Sequence, residues 1–250
     1  MRWGRAAAVL IIALGCVAAN DVAPSKAELA ALYQKAEKEL GAGHHAAALK
    51  ELDAIDARLP GLAAARNLRA VILMQQGEYD RAETALQEAL AIDPQLWSAR
   101  FNLANIPFLR KDWAEAEIRF AALRQAVPSE HDAAIAPLLD YKILLTVLFE
   151  KKDERVGALL SKLKSEENSP AFDYAEAAIA FHRDKRDEGK RWIATAEKAF
   201  PAPDNKLFRH SFYAVGGLPR PAREPPLLAQ LPAPGDTATA AAPPATRRPE

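Results

Sequence analysis

The chain has 250 residues, half of them hydrophobic and 26% charged, with 33 Lys and Arg balanced by 33 Asp and Glu. Such a composition supplies a sizeable buried core, and its neutrality argues against nucleic acid, whose binding rests on a basic surface. A single cysteine excludes internal disulfides.

Residues 1–19 read as a secretory signal peptide. Arg2 and Arg5 form a positive start, Ala6 to Leu14 is an apolar run of nine residues, and Val17-Ala18-Ala19 offers small residues suited to cleavage before Asn20. A bilayer-spanning helix needs ~20 apolar residues, so this run is too short to be one. The expected location is exported, in the periplasm or cell envelope. Cys16 adds a second expectation. Ala13-Leu14-Gly15-Cys16 resembles a bacterial lipobox, with Ala13 where Leu is usual, and acylation of Cys16 would supply a lipid anchor. That anchor is the only membrane contact the sequence suggests.

From residue 29 a chemical pattern recurs every 34 residues. Ala48, Ala82 and Ala116 are each preceded three residues earlier by a ring (His45, Tyr79, Trp113) and followed four later by Leu52, Leu86 or Phe120. Ala36, Ala70 and Ala104 repeat at the same step, as do Pro60, Pro94 and Pro128, and Gly43 and Gly77 mark turns with Lys111 in the third place. Self-similarity at this period is the mark of a helix–turn–helix solenoid. Small residues let paired helices approach, and large ones fill the space between stacked pairs. The pattern resembles the tetratricopeptide repeat, although the tryptophan common early in its first helix is absent at Leu32, Arg66 and Arg100. The resemblance implies an all-α fold, a right-handed superhelix.

The units are expected at about 29–62, 63–96 and 97–130, then an irregular fourth at 131–168 and a fifth at 170–203. The next small residue of a second helix is Gly157, 41 residues after Ala116. The seven extra residues fit a long first helix from near Asp132 through Leu148, with Ser129 and Asp132 as its capping start. In the fifth unit Ser169-Pro170 reads as N-cap and first helical residue, and Ala177, Gly189, Ala196 and Pro201 hold the register. A short segment, Asp204 to Val215 before Gly216-Gly217, reads as the single helix a solenoid needs over its last apolar face. The solenoid thus covers 20–218 with about eleven helices and no sheet. Residues 219–250 carry an Ala/Thr run and nine of the 18 prolines, without an aromatic residue, and read as a disordered, polyproline-like tail. Leu227-Leu228 and Leu231 are its only apolar cluster.

The sequence contains no HExxH, no Walker-type loop and no GxSxG. The histidines are scattered, so neither a metal site nor a cofactor is expected, and the carboxylates have the spacing of solvated helix faces. A pocket in the irregular fourth unit is the least supported reading, since His131, Asp140 and Lys142 form no recognisable triad. Not an enzyme is the expectation.

In tetratricopeptide proteins the first helices of successive units line a concave groove that holds protein or peptide partners. The resemblance places Tyr33 and Glu37 there from unit one, Asn67, Val71 and Met74 from unit two, and Phe101, Asn105 and Phe108 from unit three. Asn67 and Asn105 would hydrogen-bond an extended backbone, and Phe101 and Phe108 would accept apolar side chains, unless the rings pack against the neighbouring helix. Tyr33 and Glu37 stand where a chaperone-tail binder carries Lys and Asn, which argues against that specificity. Pro107, inside the first helix of unit three, is expected to kink or locally open it. The function expected is an exported scaffold or adaptor. The alternative is an envelope lipoprotein acting as a structural subunit of a membrane assembly complex.

Overall fold

A computed structural model describes residues 25–127, 132–166 and 168–216. Among these there are eleven α-helices and no strand: α1 Lys26–Gly41, α2 His45–Arg58, α3 Ala63–Gln75, α4 Tyr79–Ile92, α5 Trp97–Arg110, α6 Trp113–Gln125, α7 Asp132–Phe149, α8 Asp153–Lys164, α9 Ala171–His182, α10 Arg186–Ala199 and α11 Ala202–Ala214. They pack as antiparallel neighbours, each helix against the next, with first helices also meeting first helices across successive pairs. The leader, Cys16, Ser129 and the tail from residue 217 lie outside the described residues.

The repeating alanines occupy the positions that stacking demands. Ala36, Ala48, Ala70, Ala82 and Ala116 are fully buried and Ala104 nearly so, with Leu52, Leu86 and Phe120 fully buried beside them. Each pair turns through a left-handed residue: Gly43, Gly77, Lys111, Lys151 and Asp184 have φ of 79°, 77°, 62°, 64° and 58°. Glycine reaches this region without strain, whereas a lysine Cβ crowds the following carbonyl. The turn position therefore persists in units three to five after the glycine is lost.

Two sequence expectations shift by one residue. In the first three units the buried alanine is the fourth residue of the second helix. In α8 the fourth residue is Val156, buried, while Gly157 is exposed and a Cβ added there would meet nothing within 4 Å. The step from unit three to four is therefore 116 to 156, or 40 residues. Small size pointed to the neighbour, whereas burial is what defines the position. Likewise α9 begins at Ala171 with Pro170 as its N-cap, and Ser169 Oγ accepts the Ala171 N–H at 3.2 Å. Gly189 does hold its place: a Cβ there would stand 2.4 Å from the Phe181 ring.

The extra residues of unit four lengthen α7 to 18 residues. From Ile135 to Leu148 every residue is buried. An apolar helix without a polar face must be covered on all sides, and α6, α8, α9 and α11 all pack on it. Two satellite cores, around α1–α3 and around α3–α5, adjoin the main one at α5–α11.

Candidate partner-binding groove

The first helices α1, α3 and α5 carry the eight residues that the repeat register assigns to a groove, and the structure places them at different depths. On α1, Tyr33 and Glu37 lie one turn apart and are half-buried. Burial, followed by the Glu37 charge, pushes the Tyr33 hydroxyl up to about 12, and burial raises the Glu37 carboxyl. Asn105 on α5 is likewise half-buried. The other five are not open. Asn67, Val71, Met74 and Phe101 are 6%, 4%, 8% and 5% exposed, and Phe108 is completely enclosed.

The two asparagines already have partners. Asn67 donates to Ser98 Oγ at 3.2 Å and accepts from the buried Asn102 Nδ2 at 2.8 Å, a polar link between α3 and α5. Asn105 Oδ1 accepts from Lys142 Nζ at 2.8 Å, joining α5 to α7. The two phenylalanines pack inward instead of forming an open wall. The Phe120 centroid is 6.2 Å from Phe101 and 5.9 Å from Phe108, and Trp113 meets Phe108 edge-on at 5.6 Å. Tyr33 packs against the aliphatic core of α1–α3, and at α5 the half-buried Asn105 stands over an aromatic layer that belongs to the main core.

That layer encloses a charge that sequence reasoning named only to dismiss. Lys142 is 4% exposed, and its Nζ lies 4.1 Å from the Phe108 centroid, with Phe120 and Phe101 at 5.6 and 5.9 Å. Among the described residues no carboxylate forms an ion pair with it. Burial lowers its ammonium from 10.5 to about 7. Asp140, two residues earlier and 2% exposed, is differently served: it accepts from Lys162 Nζ at 2.8 Å and Arg124 Nε at 3.3 Å, tying α6, α7 and α8. The signal was present in the sequence as two charges inside an otherwise apolar stretch, since such charges are buried with their helix and must find partners.

Pro107 does not open α5, which runs helical from Trp97 to Arg110. Proline supplies no N–H, so the carbonyl four residues earlier, on Leu103, loses its helical partner. Arg119 Nη1 donates to that carbonyl at 3.2 Å while also meeting Glu83 at 3.0 Å and, through Nε, Glu115 at 2.7 Å. The side chain of α6 thus replaces the missing helical bond. Arg119→Ala is expected to lower stability by roughly 1–3 kcal/mol, the range for a buried acceptor left unsatisfied. In a Pro107→Ala background, where residue 107 again carries an N–H, part of that loss should disappear. Denaturant unfolding of the four chains measures the coupling, and strict additivity would refute the role given to Arg119.

Among the described residues no group of three or more His, Cys, Asp or Glu side chains is placed to hold a metal ion, and no helix is long and apolar enough to cross a membrane. His131 lies outside the described residues. Asp140 and Lys142 serve different partners on different helices.

Paired antiparallel helices with a recurring left-handed turn and small residues at fixed depths define a helical-repeat protein. Residues 73–139, from the end of α3 into α7, match the family model for the tetratricopeptide repeat. A solved structure, the crystal structure of the P58(IPK) TPR domain, is 13% identical over 76% of this chain and 66% of that one, with a TM-score of 0.30. The chain thus spans slightly under two thirds of that protein's length. No curated protein matches the chain.

Proposed function

We propose that this chain is an exported, non-enzymatic scaffold that holds protein or peptide partners along the row of its first helices. Tetratricopeptide repeats are interaction scaffolds in general, and the observation that carries the reading here is the half-buried polar set Tyr33, Glu37 and Asn105 on that row. Tyr33 packs on the aliphatic core of α1–α3 and Asn105 stands over the aromatic layer, so a partner would meet hydrogen-bonding groups on a packed floor, an arrangement that reduces the ordering cost of binding. Export is supported by Arg2, Arg5 and the apolar run Ala6 to Leu14.

Photo-crosslinking in the native host tests the surface. A crosslinking residue at 33 or 105 is expected to give a partner adduct. One at Ile118, which is 64% exposed on α6, is expected to give none. Equal yield at 118 would rule out the row of first helices as the binding surface.

The lipobox-like Ala13-Leu14-Gly15-Cys16 favours a second reading, an envelope lipoprotein serving as a structural subunit of a membrane assembly. Intact mass of the protein from its own host separates the two. A mature chain beginning at an acylated Cys16 supports the lipoprotein, and one beginning at Asn20 removes it.

A further inference from the structure

The last helix does not continue the stack as its predecessors do. The first helices α3, α5, α7 and α9 pack on the second helix before them and reach back no further than the first helix of the preceding pair. Helix α11 touches α10 and its C-cap through Asn205 Nδ2 on the Ala196 and Phe200 carbonyls at 3.3 and 2.8 Å and through the Arg209–Glu197 ion pair, and then crosses over α9 to reach α7. Phe208 lies 5.3 Å from the Tyr141 ring and 5.8 Å from Tyr174, and Phe212 lies 5.2 Å from Phe181. So α11 rests on the first helices of units four and five, the row that α1, α3 and α5 begin.

Its attachment is a narrow stripe. The buried residues of α11 are Asn205, Phe208, Ser211 and Phe212, and the rest of the helix is half-buried or exposed. By contrast α7 is enclosed throughout from Ile135 to Leu148. The seat also extends beyond the helix that fills it. At the end of α11 a cavity of about 350 Å³ stays open between Phe149, Ala178, Phe181 and His182 on one side and Phe212 and Val215 on the other. Within the covered part, the buried Tyr141 hydroxyl beside Phe208 has no hydrogen-bond partner among the described residues. A buried polar atom left unmatched is a cost that a differently shaped occupant can remove.

We propose that α11 occupies, in cis, a helix-binding seat on α7 and α9, and that this seat accepts in trans an amphipathic partner helix with two aromatic residues four apart. The template for the partner is α11 itself: aromatic rings at i and i+4 on one stripe, laid on a groove of rings and alanines. A partner helix one turn longer would also fill the open cavity beside Phe149 and His182. The inference rests on the reading that the row of first helices holds partners, and it assigns the row's second half to helices, with α11 as the competitor to be displaced.

Two measurements test it, and both leave the crosslinking sites on units one and three untouched, so that failure here is distinct from failure there. Hydrogen exchange on the full wild-type chain comes first. Amides of α11 are expected to exchange at least ten-fold faster than those of α7 and α9, through local opening. Exchange of all three helices at one common rate would overturn the proposal. The second uses a fluorescent peptide of residues 202–216 and the full chain carrying Phe208→Ala and Phe212→Ala, with its fold checked by circular dichroism. The peptide is expected to bind this chain at least ten-fold more tightly than wild type, and a peptide carrying the same two alanines should not bind. Equal binding to both chains, or binding indifferent to the rings of the peptide, would overturn it. Should the double variant fail to fold, the exchange rates decide.

Discussion

Replacing Lys142 by methionine is expected to stabilise the protein, and to do so most at neutral and lower pH. The ammonium is buried among Phe101, Phe108 and Phe120, with the Asn105 amide oxygen as its hydrogen-bond partner among the described residues. Its fall from 10.5 to about 7 corresponds, at about 1.4 kcal/mol per pH unit, to a cost on the order of a few kcal/mol for holding a charge there. Methionine keeps the stem's length and apolar contacts. It forfeits the bond to Asn105, which is half-buried and can turn to water. A net gain of roughly 2–4 kcal/mol at pH 7 follows, in line with buried charges giving way to apolar residues. The pH dependence fixes the cause. Between 7 and 10.5 the unfolded chain binds a proton that the folded chain does not, so wild-type stability rises with pH through this window and is lost as pH falls towards 7. The advantage of Lys142→Met is therefore largest at pH 7 and below, and shrinks steadily as pH is raised to 9.5. Urea unfolding across that range checks both parts. A constant advantage would mean that the gain comes from packing alone.

What the sequence reveals and what it hides divide along physical lines. The 34-residue step is visible because stacked pairs demand the same residue size at the same depth, so Ala48, Ala82 and Ala116 repeat as letters. The turns of units four and five are not visible as letters, because Lys151 and Asp184 take a left-handed backbone for which glycine is the usual sign. Depth within the groove is hidden for a different reason. Periodicity tells which face of α5 carries Phe101, Asn105 and Phe108, but their exposure depends on Phe120 from α6 and Lys142 from α7. Asn105 and Lys142 are 37 residues apart in sequence. No local pattern announces that pairing, nor the use of Arg119 to satisfy the carbonyl that Pro107 frees. The reach of α11 back to α7 is likewise a tertiary fact: a helix capped by Gly216 reads as an end cover, and only Phe208 against Tyr141 shows what it covers.

A costly lysine in an aromatic layer, directly beneath the half-buried Asn105, also changes how the row of first helices must be probed. Residues of the layer hold the fold, and their loss would remove binding indirectly. On the proposed reading, the group that a partner would reach beside it is Asn105. Aromatic substitutions therefore report on stability, and polar ones on recognition.

Phe108→Ala puts that division to the test. The ring is completely buried and touches Phe120, Trp113 and the Lys142 ammonium. Truncating such a ring leaves a cavity and is expected to cost about 3–5 kcal/mol, a large share of the 5–15 kcal/mol typical of a folded domain. A second effect distinguishes this cavity from an ordinary one. Burial is what lowers Lys142, and the void would adjoin its Nζ, so water entering there should return the ammonium towards 10.5. Stability of the Phe108→Ala chain should then rise less steeply between pH 7 and 9.5 than that of wild type. By the same reasoning, adding Lys142→Met should gain less in this background than in the intact one, with a coupling of at least about 1 kcal/mol between the two sites. If the two changes prove additive and the pH slope stays that of wild type, the void remains dry and a different side chain keeps water from Lys142. A shallower slope with strong coupling would identify Phe108 as the residue that seals the charge in.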